Sequence, residues 1–340
     1  MSTGFPRIVA IDSHAPDARV IAQAVNALRR GRLVAFPTET VYGLGARAFD
    51  GAALARVFAA KGRPAHHPLI AHVTGEGDAC ALAAAWPPVA ARLARAFWPG
   101  PLTLVVERAA HVPAAIAGGG DSIAVRAPAH PVARALIEAL GEPIAAPSAN
   151  RYQGISPTTA AHVVRQLGAA VDFVLDGGSC AAGIESTVVD VRGERPRILR
   201  PGATAAARVR AVVPNLEATA ERASREAARA SPGMGARHYA PRARLHIAIT
   251  AEVAALIEAC AGAGLLVGAI THSEGLTIPP ASGVTERRLG ADPEAYASRL
   301  YATLHDLDDR GVDVIVVEAV PPGDAWWAIE DRLRRATAVE

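Results

Sequence analysis

Lys61 is the only lysine among the 35 lysine and arginine residues of the chain, and it lies in the segment Lys61-Gly62-Arg63-Pro64. A lysine ammonium is a compact point charge, whereas an arginine guanidinium is a planar fork that keeps its proton. A site that needs a lysine ammonium and cannot accept a guanidinium commonly binds phosphate or a reacting group. Together with Arg63, in a Gly/Pro turn, Lys61 indicates a clamp for a polyphosphate. Chance retention of one last lysine is the alternative interpretation.

Three histidines follow this clamp. His66 and His67 are adjacent, and because neighbouring residues of a strand face opposite sides, a metal site built from this pair is disfavoured. His72 lies inside the apolar run 69–73. There it is either a hydrogen-bonded core histidine or a substrate contact.

Further polar segments follow predicted strands. Two threonines and two glycines within 37–45 suit a ligand pocket at the carboxyl end of a strand. Ser148 and Asn150 alternate onto one face and offer a hydroxyl and an amide to ribose, phosphate or base. The glycine-rich stretch 176–187 can form an anion nest, and Arg200 leaves a strand where it can reach phosphate. The structural alternatives are an Asx or Ser turn, a mobile loop and a solvated arginine.

The elements that position these segments alternate between helical and strand periodicity, which predicts an α/β or α+β fold. Helices are predicted at 18–30, 51–60, 89–97, 130–140 and 158–167. Strands are predicted at 33–36, 69–73, 102–107, 123–126, 144–146, 173–176, 187–191 and 198–199.

The C-terminal part alternates again, with strands at 245–249, 265–270 and 314–319 and helices at 251–261, 293–310 and 325–337. This order predicts a small parallel, Rossmann-like sheet. No G-x-G-x-x-G follows a strand there, so dinucleotide binding is not expected. We predict a catalytic domain over 15–203, a linker that closes over its site as a lid over 204–244, and a second domain over 245–340.

Composition allows a packed core, since 51% of residues are hydrophobic and 20% are charged. Charge is uneven, because residues 245–340 carry 15 Asp and Glu and 7 Arg, whereas residues 1–244 carry 18 Asp and Glu and 28 Lys and Arg. An electropositive first part suits an anionic ligand such as a nucleotide or RNA.

Three widely spaced cysteines, Cys80, Cys180 and Cys260, show neither zinc nor disulfide spacing and are expected to be buried small hydrophobes. No stretch has the length and composition of a membrane span or a signal core, so the chain is expected to be cytoplasmic. Neither a nucleophile elbow nor a Walker A motif occurs.

Taken together, the polar segments resemble the YrdC-type family in order and spacing across roughly residues 18–203. The matching pieces are Thr38–Leu44, Lys61-x-Arg63-Pro64 with Pro68-Leu69, Trp98–Thr103, Arg126-x-Pro128, Ala146–Asn150 and Ser186-Thr187-Val188. The later segments Ser231-Pro232-Gly233-Met234 and His238-Tyr239-Ala240-Pro241 resemble the long form of threonylcarbamoyl-AMP synthases.

The resemblance implies an α/β protein with a YrdC-like twisted mixed sheet and helices, followed by the smaller Rossmann-like domain. It also implies an enzyme that joins L-threonine, bicarbonate or CO₂, and ATP into threonylcarbamoyl-AMP and releases pyrophosphate, with Mg²⁺ on the phosphates. A partner tRNA threonylcarbamoyl transferase would then modify an adenine beside the anticodon. Whether this chain itself contacts tRNA is left open.

Residue roles carried over from the resemblance fall into three sets. The threonine-binding set is Thr40, His72, Arg126, Ala146 and Ser186. The ATP-binding set is Arg63, His67, Ser122, Ser148, Ser156, Arg200, His238 and Tyr239. Lys61, Arg63, Ser148 and Asn150 match the family's Lys-x-Arg and Ser-x-Asn signature and are expected to act by positioning and charge, without a covalent nucleophile or a protein-held metal. At the position of His67 the family often has asparagine.

Two other functions fit parts of the sequence. A non-catalytic RNA-binding module of the same fold would use the basic first part to hold RNA phosphates. A carbamoyl-transfer protein of hydrogenase maturation contains a similar domain but would carry zinc-finger segments, and no Cys-x-x-Cys pair occurs here.

Overall fold

The computed structural model describes residues 5–218, 237–278 and 282–338. They form two compact units. The first comprises the residues up to Tyr152, Ser156–Ala181, and the chain from Glu185 into the last strand before residue 219. The second comprises the described residues from 237 onward, together with two short pieces from earlier in the chain, Gln153–Ile155 and Ala182–Ile184.

The first unit is built on a mixed sheet. Its strands are β1 (Arg7–Ala10), β2 (Val34–Phe36), β3 (Gly43–Arg47), β4 (Ile70–His72), β5 (Leu102–Glu107), β6 (Ser122–Arg126), β7 (Ile144–Ala145), β8 (Phe173–Asp176), β9 (Thr187–Asp190), β10 (Arg197–Arg200) and β11 (Glu217–Ala218). They lie in the order β1-β8-β2-β3-β7-β4-β6-β5-β9-β10-β11. The sheet contains parallel pairs such as β4–β6 and antiparallel pairs such as β3–β7, so the predicted mixed α/β fold is confirmed.

Helices cover this sheet. They are α1 (Ala18–Arg29), α2 (Gly51–Lys61), α3 (Glu76–Leu82), α4 (Pro88–Phe97), α5 (Pro131–Leu140), α6 (Ala160–Leu167) and α7 (Ala206–Val212). The apolar faces of α1 and α5 meet β2 in one core cluster, where Leu28, Phe36 and Leu136 are fully buried. Burial of such side chains contributes about 1.5–3 kcal/mol each.

Helix α2 carries Lys61 as its last residue. Asp50 caps its start by accepting a hydrogen bond from the backbone of Ala53, and Gly62 ends it in the left-handed conformation at φ 62°. The buried residues of α2 recur at helical spacing, and Lys61 follows Val57 and Phe58 on that face. The helix therefore directs its terminal ammonium into the protein and not into solvent.

Several elements escaped the sequence prediction. Strand β3 contains Gly43 and Gly45, and glycine-rich strands lack the β-branched pattern that marks a strand. A side chain at position 45 would meet the Phe36 ring at 2.8 Å, so this strand can only pair closely because it lacks one. The short strand β1, helix α3, helix α7 and strand β11 were also not predicted.

The second unit contains a four-stranded parallel sheet in the order β12-β15-β13-β14. Its elements are β12 (Arg244–Ala248), β13 (Val267–Thr271), β14 (Val284–Arg288), β15 (Val314–Glu318), α8 (Thr250–Gly262), α9 (Pro293–Asp309) and α10 (Trp327–Thr337). The predicted Rossmann-like sheet is therefore confirmed, with β14 as an additional edge strand whose polar sequence gives no apolar run.

The predicted linker over 204–244 is described only in part. Helix α7 and strand β11 lie inside it, and its central residues 219–236, with Ser231-Pro232-Gly233-Met234, are outside the described residues. Of the cysteines, Cys180 is buried as predicted, but Cys80 is exposed on α3 and Cys260 is only partly buried. The prediction was wrong for Cys80 because α3 buries Ala79 and Leu82 and turns Cys80 to solvent.

Candidate active site

The parallel pairing of β4 with β6 places His72 directly beside Arg126. Both side chains are buried, at 3% exposed each. Arg126 donates from Nη1 to Thr40 Oγ1 at 2.9 Å and from Nε to the Gly100 carbonyl at 3.3 Å. A guanidinium on a central strand is thus held in one orientation by a loop on each side.

The turn after β2 brings Thr40 to this guanidinium. Thr38 Oγ1 donates to the Val41 carbonyl at 2.6 Å and accepts from the backbone N–H groups of Thr40 and Val41 at 3.2 Å. This side-chain-to-backbone closure is the typical reason for threonine in a tight turn. The hydroxyl of Thr40 lies 2.8 Å from that of Thr38, so both threonines of the predicted pocket form one network.

Glu39 lies in the same turn and was not among the predicted site residues. Its Oε1 is 2.8 Å from Arg126 Nη2, with the two side chains 16% and 4% exposed. Burial alone would raise the pKa of Glu39, but the Arg126 charge and several hydrogen bonds outweigh it and hold the pKa below its ordinary value. The available sequence signal was that Glu39 is the only acidic residue in the segment 37–45.

His72 is neutral in this setting. Burial, and then the charge of Arg126, lower its pKa from 6.5 to about 3. Its ring meets the Phe36 ring edge-on at 6.2 Å between centroids. An uncharged imidazole beside a guanidinium can bind a substrate hydroxyl or carboxylate without adding charge.

Lys61 is also buried, at 3% exposed. Its Nζ donates to the Ser148 carbonyl at 2.6 Å and to the Asn150 carbonyl at 2.5 Å. Burial, and then the nearby Arg63, hold its pKa well below the ordinary value. The ammonium of α2 therefore fixes the backbone that carries the predicted Ser-x-Asn signature.

The same loop is held on its other side by β3. Leu44 donates to the Pro147 carbonyl at 2.7 Å, and Ala149 donates to the Tyr42 carbonyl at 2.8 Å. Ala146 extends the β7 side by donating to the Ile70 carbonyl at 2.9 Å. The segments around residues 40, 61, 72 and 148, distant in sequence, thus meet at one end of the sheet.

The turn between α2 and β4 holds the next predicted residues. Arg63, 7% exposed, donates from Nη2 to the Pro68 carbonyl at 3.0 Å. His67 is half-buried, and burial together with the Arg63 and His66 charges lowers its pKa to about 4. Ser122 is buried at the start of β6, at the opposite end of that strand from Arg126.

The expectation that His66 and His67 face opposite sides of a strand was wrong. They lie in the turn before β4, which begins only at Ile70, and their ring centroids are 4.6 Å apart. Even so, in the part of the chain that the structure describes, no three His, Cys, Asp or Glu side chains are grouped as metal ligands.

Ser186 and Arg200 form a second buried network in the first unit. Arg200 Nη2 donates to the Ser186 carbonyl at 2.8 Å, and the Ser186 hydroxyl lies 2.7 Å from that of Thr103. Ser156 donates to Glu185 Oε1 at 2.5 Å, and Glu185 is the residue directly before Ser186. Gly202 allows the close approach, because a Cβ there would lie 2.4 Å from the Glu185 carbonyl oxygen.

His238 and Tyr239 belong to the second unit. The Tyr239 ring stacks near Tyr301 at 5.8 Å, and the Arg332 guanidinium lies 4.9 Å from its centroid. The His238 backbone donates to the Arg335 carbonyl at 3.1 Å. Both residues are therefore anchored within that unit by α9 and α10.

Most predicted residues of the first unit are buried polar side chains in three neighbouring networks: Arg126 with Thr40 and His72, Lys61 with the 148–150 loop, and Ser186 with Arg200. A surface cleft of about 390 Å³ near Phe49 and His111 is lined by none of them.

No helix within the described residues is long and apolar enough to cross a membrane.

Two protein-family models match this chain, one on each side of residue 203. The Sua5/YciO/YrdC family model, described as telomere recombination, matches residues 26–202. The model described as threonylcarbamoyl-AMP synthase, C-terminal domain, matches residues 204–338.

Two curated relatives, both named threonylcarbamoyl-AMP synthase, align with this chain over most of their length. The threonylcarbamoyl-AMP synthase of Pyrococcus abyssi is 41% identical over 322 residues, covering 92% of this chain and 93% of the relative. That of Bacillus subtilis is 37% identical over 319 residues, covering 93% and 92%. The chain therefore belongs to the threonylcarbamoyl-AMP synthase family, and it is an enzyme, as the sequence resemblance predicted.

Solved structures agree. The P. abyssi Sua5 protein complexed with L-threonine superimposes with a TM-score of 0.87 at 38% identity, covering 97% of both chains. A variant of the same protein with an adjacent histidine and tyrosine replaced by alanine gives a TM-score of 0.89 at 37% identity, covering 98% of this chain and 96% of that one.

Proposed function

We propose that this enzyme makes L-threonylcarbamoyl-AMP from L-threonine, bicarbonate or CO₂, and ATP, with release of pyrophosphate. The observation that carries the proposal is the buried Arg126, held on β6 between Thr40 and Gly100 with the neutral His72 alongside. A buried guanidinium with unused donor capacity suits the carboxylate of an amino acid. The L-threonine complex of the P. abyssi relative supports the choice of amino acid.

In this proposal Thr40, His72, Arg126, Ala146 and Ser186 surround threonine. Arg126 pairs with the substrate carboxylate, and Thr40 fixes the guanidinium plane. The backbone of Ala146 is tied to β4 and gives the pocket a rigid wall. Ser186 presents its hydroxyl from the Arg200 network.

We assign the ATP side to the turn that carries Arg63 and His67, to Ser122 and Ser148, and to Ser156 and Arg200. Lys61 supports this side by fixing the Ser148 backbone, and its remaining capacity can face a phosphate. Asn150 is positioned by the same lysine. The ATP role of His238 and Tyr239 stays a prediction.

The chemistry needs positioning more than covalent help. Threonine's ammonium first loses one proton to water, and the resulting amine nitrogen bonds to the carbon of CO₂. One C=O π pair moves onto oxygen as the carbamate charge, and the nitrogen loses a second proton to water. A carbamate oxygen then bonds to the α-phosphorus of ATP, the bond from that phosphorus to the β-bridging oxygen breaks, and pyrophosphate leaves. Buried, pre-oriented charges that exclude water favour this step and protect the unstable carbamate.

Mg²⁺ belongs to the proposal only as an ion carried by the triphosphate. The described residues offer no group of three acidic or histidine ligands that fits a protein-held Mg²⁺. We also propose that a tRNA threonylcarbamoyl transferase consumes the product, since an acyl adenylate is an activated donor that needs an acceptor.

The test is pyrophosphate release by the purified chain with each substrate omitted in turn. We expect release only when threonine, bicarbonate and ATP are all present, and threonylcarbamoyl-AMP should be identified by mass. The rival RNA-binding module would show no turnover and a steep salt dependence of RNA binding. A rate of pyrophosphate release that is the same with and without threonine would contradict the proposal.

A further inference from the structure

The ion pair between Glu39 and Arg126 is close but poorly aligned. Glu39 Oε1 and Arg126 Nη2 are 2.8 Å apart, yet neither atom makes a hydrogen bond of normal geometry. Glu39 Oε2 and His72 Nδ1 are likewise buried without a hydrogen bond of normal geometry, and the backbone N–H groups of Glu39 and Ala129 lie only close enough to the carboxylate to lower its pKa. Buried polar atoms are nearly always hydrogen-bonded in good geometry, so these four poorly aligned atoms, two of which already form an ion pair, leave hydrogen-bonding capacity that a polar ligand can take up.

The two charged groups have complementary chemistry. Arg126 contributes a positively charged donor that is poorly aligned with its present partner, and Glu39 contributes negatively charged acceptors. An α-amino acid in its zwitterionic form offers the complement, a carboxylate and an ammonium joined by one carbon. When the substrate binds, the guanidinium can pair with its carboxylate and the Glu39 carboxylate can pair with its ammonium. No buried charge is then left unpaired.

We infer that Glu39 is the residue that binds the α-ammonium of threonine, while Arg126 binds its carboxylate. The inference rests on the proposed function, because it assigns a partner to the substrate of that same site. In the free enzyme, Glu39 and Arg126 neutralise each other. Threonine then replaces one misaligned ion pair with two charge-assisted hydrogen-bonded pairs.

The state of Glu39 agrees with this role. Its pKa is held below the ordinary value, so the side chain is a carboxylate at neutral pH and accepts hydrogen bonds only. The turn that carries it is fixed by Thr38, which closes onto Val41 and onto the backbone of Thr40. Recognition of the ammonium therefore makes the site selective for amino acids over simple carboxylic acids.

The test compares L-threonine with (R)-3-hydroxybutyrate, which keeps the carboxylate, hydroxyl and methyl groups but lacks the amine. Titration calorimetry would measure both ligands on the wild-type enzyme and on Glu39→Gln. A matched control is Glu142→Gln, which removes a carboxylate paired with Arg47 away from the site. We expect the wild type to prefer threonine by about tenfold or more, the value of one charge-assisted hydrogen bond.

In Glu39→Gln we expect threonine affinity to fall by about tenfold or more. Affinity for (R)-3-hydroxybutyrate should stay the same or rise, because Arg126 is no longer neutralised by Glu39. Equal loss for both ligands would show that Glu39 only holds the fold of the pocket, and unchanged threonine affinity would show no role. Either result overturns the inference.

The wild-type comparison does not depend on any variant folding. A wild-type enzyme that binds both ligands equally well overturns the inference even if Glu39→Gln cannot be purified. A wild-type enzyme that binds no threonine refutes the proposed function itself, and the two failures are therefore distinguishable. Glu142→Gln should match the wild type for both ligands.

Discussion

The contact of Lys61 with two main-chain carbonyls gives a quantitative prediction. Lys61→Met keeps the length and apolar stem of the side chain but removes the donor. The Ser148 and Asn150 carbonyls, now 2.6 and 2.5 Å from Nζ, would lose that donor within the protein. Two such losses cost about 2–6 kcal/mol, and removing the desolvated amine recovers part of this.

We therefore expect the 148–152 loop to lose about 2–3 kcal/mol of local stability. Two amides report on it directly: that of Ala149, bonded to the Tyr42 carbonyl, and that of Tyr152, bonded to the Lys61 carbonyl, both at 2.8 Å. Their hydrogen exchange should accelerate about 30- to 150-fold. Turnover should fall in parallel, because Ser148 is no longer held in place.

Arg56→Met is the matched control, since it removes a cation from the same helix. Arg56 pairs with Asp172 at the surface, where the arginine side chain is 47% exposed, and such a pair contributes about 0–1 kcal/mol. Exchange at Ala149 should be unaffected. If Lys61→Met lost turnover while both loop amides kept wild-type protection, the positioning argument would be refuted and a direct phosphate contact favoured.

Three further predictions concern the neighbouring networks. Arg126→Met should raise the KM for threonine about 10- to 100-fold with little change for ATP, as measured by steady-state kinetics; an equal rise for both substrates would contradict the assignment. Because the folded protein holds the pKa of His72 at about 3 and the unfolded chain near 6.5, the unfolded state binds more protons between these values. This residue should therefore lower the free energy of unfolding by about 1.4 kcal/mol per pH unit as pH falls below 6.5, and urea unfolding of His72→Asn should lack that slope. Gly202→Ala places a Cβ 2.4 Å from the Glu185 carbonyl oxygen and 2.5 Å from the Thr187 nitrogen, so it should cost about 1–3 kcal/mol and lower the thermal midpoint by several degrees; an unchanged midpoint would show that the loop gives way freely.

Most elements of the first unit could be predicted because their burial follows a simple period. Helices α1 and α5 bury one face against β2, and that face is visible in the sequence as a helical repeat. Strand β3 could not be predicted, since its glycines serve a close approach to Phe36 that only the folded sheet reveals. The same limit applies to the His66-His67 pair, which lies in the turn before β4; that strand begins at Ile70, one residue after the start of the apolar run.

The candidate site was predictable as a set of segments but not as a set of contacts. Polar residues at strand ends pointed to Thr40, Ser148 and Arg200, and the resemblance supplied their proposed roles. Glu39 was missed because a carboxylate in an expected anion site looks out of place. Its ion pair with Arg126 depends on the pairing of β4 with β6, which places Arg126 next to the turn that carries Glu39, and the sequence does not show this pairing.

The single lysine shows why a correct signal can leave its meaning open. Its type indicates a place where a compact cation fits and a guanidinium does not. Two carbonyls from alternate residues of one loop converge on Nζ at 2.6 and 2.5 Å, and a single compact donor head satisfies both. Phosphate oxygens would impose the same requirement. Sequence alone cannot separate these partners, because both select for a small, hydrogen-bond-rich positive head, and only the packing of α2 against the 148–150 loop reveals the carbonyls. A lysine fixed in this way also explains how the loop could keep its shape while a triphosphate arrives and pyrophosphate leaves.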